Sequence, residues 1–126
     1  MFERERENLW GLVAPALVIV ASDVRSPLWD PALLALVEYL EGRLDGVFVT
    51  CAVTGSRQPT VADALSASKA MGCRSAVVVD LPGSETTPRF MLSGIPFAVT
   101  RSTGEAAQIA AAYREAVNLP FHAACA

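Results

Sequence analysis

Apolar positions along the chain fall into two alternating kinds of segment, short β-branched runs and longer stretches at helical spacing. Ala16-Leu-Val-Ile-Val-Ala21 is apolar on both faces, the pattern of a central parallel strand covered by helices on each side. Asp30-Pro31 then offers an N-cap followed by proline at the first helical position. Leu33, Leu34, Leu36, Val37, Leu40 and Leu44 continue at helical spacing until Asp45-Gly46. Val47-Phe-Val-Thr-Cys-Ala-Val53 reads as a second strand. Thr60 with Asp63 three residues on forms an acidic capping box for a helix through Met71, stopped by Gly72.

Ser75-Ala-Val-Val-Val-Asp80 predicts a third buried strand. The segment 81–94, with two prolines and two glycines, predicts a loop at its carboxyl end, and Pro96-Phe-Ala-Val-Thr100 a fourth strand. Ser102-Thr-Gly-Glu105 has the form of a capping box for a last helix through Ile109, Tyr113 and Val117, ended by Asn118 and Pro120. Residues 1–11 predict a short charged helix or arm, and 119–126 a tail. Strands alternating with helices imply an α/β fold of three layers, a four-stranded parallel sheet in the order 2-1-3-4 with helices on both faces. Ligands of such sheets bind outside the carboxyl ends of the strands, at the switch point between strands 1 and 3. This topology sets Ser22, Asp23 and Arg25 beside Asp80 and the 81–94 loop.

Composition narrows the classes. A chain of 126 residues is the size of one domain, large enough to bury roughly two thirds of its unfolded surface without staples. Lys and Arg number 10 against 13 Asp and Glu, so a net charge of −3 leaves no basic footprint for nucleic acid. The apolar run 12–21 is about half of a bilayer span, so no membrane anchor is expected. The mixed-charge start does not resemble a secretion signal, and a cytoplasmic location is expected. Cys51, Cys73 and Cys125 lack any paired short spacing, which predicts free thiols at strand ends rather than a disulfide or zinc framework. His122 and Cys125, three apart in the tail, lack further ligands for a metal. Dinucleotide, triphosphate and hydrolytic motifs do not occur.

Leu17-Val-Ile-Val-Ala-Ser-Asp-Val-Arg-Ser-Pro27 is similar to the first strand and Gly-His-Gly-Ser-Arg-Asp-Pro loop of the small sirohydrochlorin chelatases. Gln58-Pro-Thr-Val-Ala-Asp-Ala-Leu65 resembles that family's Pro-Ser-then-acidic helix start, and Gly72-Cys-Arg-Ser-Ala-Val-Val-Val79 its Gly-Ala-Arg-Arg-Val-Val-Val strand. The resemblance implies a chelatase-like fold, half of a flavodoxin-like sheet. It also implies a homodimer and the chemistry of cobalamin and sirohaem biosynthesis, in which Co²⁺, Fe²⁺ or Ni²⁺ is inserted into an open tetrapyrrole by a lyase that holds the metal with two histidines.

The chain departs from the family at those histidines. Ser22 stands at the first, and Leu81-Pro-Gly-Ser-Glu-Thr-Thr-Pro88 shortens the region of the second, where Ser84 or Glu85 is the nearest substitute. A neutral imidazole holds a first-row metal and accepts pyrrole protons, whereas a serine hydroxyl does neither well. The expected function is therefore a degenerate, non-catalytic chelatase-like protein that binds a tetrapyrrole or a partner subunit. The expected ligand-binding residues are Ser22, Asp23, Arg25, Asp80, Ser84 and Arg101, the arginines pairing with ligand carboxylates. A second reading is an active chelatase with Asp23, Asp80 and Glu85 as oxygen ligands of the metal. A third is a homodimeric interaction module without a small ligand. Against these stand the ordinary roles of the same residues as turn formers, helix caps and solvated surface charges. Met71, Phe90, Met91 and Phe97 are expected as core or lid.

Overall fold

The computed structural model describes residues 14–21, 31–53, 60–82, 94–119 and 121. Its elements are β1 (Ala16–Ala21), α1 (Pro31–Arg43), β2 (Val49–Val53), α2 (Val61–Ala70), β3 (Ala76–Asp80), β4 (Phe97–Arg101) and α3 (Ala106–Ala116). The strands form one parallel sheet in the order β2-β1-β3-β4. The expected α/β fold and strand order are both present. The expected helix or arm over 1–11, Phe90 and Met91 lie outside the described residues, as does all of the 119–126 tail but Leu119 and Phe121.

Alternation along each strand sorts its side chains to two faces. Val18, Val20, Ala76, Val78 and Phe97 pack with Ala64 and Leu65 of α2. Leu17, Ile19, Val77 and Val79 pack with Leu33 and Leu40 of α1 and with Ile109, Tyr113 and Ala116 of α3. Reversal of direction between β1→β2 and β2→β3, with right-handed crossovers, is what sends α1 and α2 to opposite faces. Each fully buried Val, Leu, Ile or Phe in these two clusters contributes roughly 1.5–3 kcal/mol. The two-sided burial explains why β1 and β3 read as continuous apolar runs rather than as alternating ones.

The helix ends follow local chemistry. Thr60 Oγ1 accepts from the Asp63 N–H at 3.1 Å while Asp63 Oδ2 accepts from the Thr60 N–H at 3.1 Å, completing the expected box. At the other end of α2, Gly72 has φ +95°; its N–H donates to the Lys69 carbonyl and the Cys73 N–H to that of Ser68. This pair of bonds is a Schellman closure, and it turns buried Cys73 inward. Met71, expected in the core or a lid, is instead 65% exposed at the C-cap, because the closure buries the residue two places later.

The expected capping box of the last helix does not form. Helix α3 begins at Ala106, with Glu105 as an N-cap whose side chain makes no capping bond. The ladder of β3 and β4 runs one residue further than expected, and the Ser102 N–H donates to the Asp80 carbonyl at 3.0 Å. Held to the sheet edge, Ser102 is too early to cap, and the Glu105 N–H turns to Thr103 Oγ1 at 3.4 Å.

A candidate ligand groove at the carboxyl edge

The carboxyl ends of β1 and β3 meet at the switch point. Val20 pairs with Asp80, and the Leu81 N–H donates to the Val20 carbonyl at 2.9 Å, which sets Ala21 and Leu81 side by side. These two residues floor a groove of about 580 Å³. One wall is α1, through Leu33, Ala35, Leu36 and Tyr39; Gly104 and Ala106, where α3 starts, form the other. Among the described lining residues the groove is apolar apart from the Tyr39 phenol and the main chain, and its volume lies within the range of small-molecule sites. Helix α1 rises about 9 Å between Leu33 and Tyr39, which gives the groove its length.

The residues expected from the sequence at this edge are other than those that line the groove. Asp80 is buried, and Arg101 pairs with it in register. Alternation with Val78 and Val99 directs both toward the α2 face, away from the groove. Neither lines it, so of the six expected ligand-binding residues the two that are described belong together but on the other side of the sheet. Ser22, Asp23, Arg25, Ser84 and Glu85 lie outside the described residues, as do His122 and Cys125. Among the described residues no group of three His, Cys, Asp or Glu side chains is placed to hold a metal ion.

The groove-lining residues carried a signal in the sequence. From Pro31 to Val37 helix α1 is apolar all round, more than one core-facing stripe requires. Leu33 is buried against the sheet, while Leu34 and Tyr39 are exposed. Two residues before Gly104, Ser102 Oγ is a buried hydroxyl with no hydrogen-bond partner.

The perturbed acids lie at the opposite edge of the sheet. Burial pushes the Tyr113 phenol up to about 12, with a further push from the Cys73 thiolate, and burial also raises the Cys73 thiol. Neither Cys51 nor Cys73 is in a disulfide, and Cys51 lies in the middle of β2 rather than at its end. A buried thiol of raised pKa is a poor nucleophile, so Cys73 belongs to the core and not to a reaction centre. No helix among the described residues is long and apolar enough to cross a membrane.

Comparison of the chain with models of known protein families and with curated proteins finds no match.

Proposed function

We propose that this chain is a chelatase-like binding protein for a tetrapyrrole, held by its apolar body in the groove between α1 and the start of α3. The observation that carries the reading is the groove itself, an apolar site of about 580 Å³ at the switch point of a parallel sheet, where such folds take ligands. The resemblance of the segments around Ser22, Thr60 and Arg74 to the small sirohydrochlorin chelatases supplies the ligand class. The absence of that family's two histidines from its loops supports binding without metal insertion, since the chain's one histidine is His122 in the tail. On this reading Co²⁺, Fe²⁺ or Ni²⁺ travels with the macrocycle and is not a resident group of the protein.

The test is an anaerobic absorbance titration with sirohydrochlorin, run on the parent chain and on Ala35→Trp. Ala35 is exposed on α1 and lines the groove, so the indole fills the site without entering the core. A saturable spectral change in the parent, with Kd at or below about tens of micromolar and weakened at least about tenfold in Ala35→Trp, is the expected result. The absence of any change in the parent, or equal affinity in the two proteins, overturns the reading.

A further inference from the structure

Among the described groove-lining residues Tyr39 is the one aromatic side chain, and it is 52% exposed. A tyrosine recruited for core packing buries its ring and pairs its hydroxyl, as Tyr113 does. Tyr39 instead stands at the far end of an apolar cleft. One turn further along α1, the guanidinium carbon of Arg43 lies over the Tyr39 ring, 5.8 Å from its centroid. That spacing is a modest cation–π contact between exposed side chains, which favours this orientation of the ring.

We infer that Tyr39, held by Arg43, is a stacking platform that makes the groove selective for flat conjugated ligands over saturated ones of similar apolar area. The inference rests on the reading of the groove as a ligand site and adds the feature that chooses among ligands. Leu33 and Leu36 contribute area to any apolar molecule, whereas an aromatic face rewards only a partner that can lie flat against it. Arg43 acts through Tyr39 and is a positioning residue.

Isothermal titration with two carboxylate-bearing probes, 1-pyrenebutyrate and dodecanoate, tests this on the parent, Tyr39→Leu, Tyr39→Phe and Arg43→Met. The parent is expected to bind pyrenebutyrate the more tightly of the two. Tyr39→Leu weakens pyrenebutyrate about tenfold and dodecanoate by less than about twofold, Tyr39→Phe retains both affinities, and Arg43→Met weakens pyrenebutyrate about threefold. Failure of pyrenebutyrate to bind the parent, binding of dodecanoate as tight or tighter, or an equal effect of Tyr39→Leu on the two, overturns the inference. Its failure separates from that of the tetrapyrrole reading. Sirohydrochlorin bound and blocked by Ala35→Trp but indifferent to Tyr39→Leu refutes the platform alone; pyrenebutyrate selectivity without sirohydrochlorin binding refutes the ligand class alone.

Discussion

Tyr113 donates its phenolic O–H to the main-chain carbonyl of Pro15, joining α3 to the residue before β1 across 98 positions of sequence. The bond gives the buried phenol its partner and ties a surface helix to the central strand. Tyr113→Phe keeps the ring in the core and strands the bond, so it is expected to cost about 1–2 kcal/mol. Urea denaturation is expected to show a lower midpoint at unchanged slope.

Tyr113 also makes stability fall at high pH. Its folded pKa is raised to about 12 from an ordinary 10.0, and that of Cys73 is raised from 9.0. A raised acid keeps its proton in the folded state while the unfolded chain releases it, so its contribution is whole below the unfolded pKa and is lost as pH rises toward the folded one. Stability is expected to decline from about pH 9 upward, most steeply between 10 and 12. In Tyr113→Phe the decline between 10 and 12 shrinks, and an unchanged decline refutes the assignment to this phenol.

Two glycine replacements are expected to act in opposite directions. Gly72 sits at φ +95° with open space where a Cβ would go, so Gly72→Ala meets no neighbour and pays only for the left-handed backbone, about 1 kcal/mol. Gly42, inside α1 with equally open surroundings, is an ordinary helical position, and Gly42→Ala is expected to stabilise by about 0.5–1 kcal/mol. Thermal melts of the two variants against the parent decide it; a stabilising Gly72→Ala contradicts the Schellman closure of α2, and a destabilising Gly42→Ala contradicts the ordinary helical setting of that residue.

At the start of α3 the two defects left by the failed capping box are separately repairable. Ser102→Ala removes a buried hydroxyl that has no partner and is expected to stabilise by about 1 kcal/mol. Glu105→Asp puts a short carboxylate at the N-cap and is expected to add about 1 kcal/mol by accepting an N–H of the first turn. Loss of stability in Ser102→Ala would mean that the hydroxyl is paired in solution.

Asp80 separates the groove from the site that sequence reasoning favoured. Its side chain lies on the α2 face, so Asp80→Asn is expected to leave sirohydrochlorin affinity within about twofold of the parent, while Ala35→Trp lowers it at least about tenfold. A loss of binding in Asp80→Asn equal to that in Ala35→Trp would move the site to the other side of the sheet.

The fold was legible because its signals were local and mutually consistent. Apolar runs such as Leu17 to Val20 admit little but a strand buried on both faces, and Thr60, Asp63 and Gly72 marked the ends of α2 correctly. Where the reading erred, a long-range bond overrode a local one. Ser102 and Glu105 carry the spacing of a box, but the main chain of Ser102 is engaged by Asp80 on the neighbouring strand. The site was legible only as an edge. Topology gives the switch point, but which of two consecutive residues faces the groove depends on the exact register, and Asp80 and Leu81 fall on opposite sides. Apolar lining residues such as Leu36 carry no chemical mark that distinguishes a cleft wall from a core.

The order of the sheet sets the timetable of folding. β1 precedes β2 and β3 in the chain yet lies between them, and the face bearing Leu17 and Ile19, partly covered by α1, is completed only when α3, the last of the described elements, packs on it. A nascent chain stopped after β3 therefore carries Val77 and Val79 without the cover that Ile109 and Tyr113 of α3 give them. Its protection falls to whatever binds emerging hydrophobic segments until Tyr113 reaches Pro15.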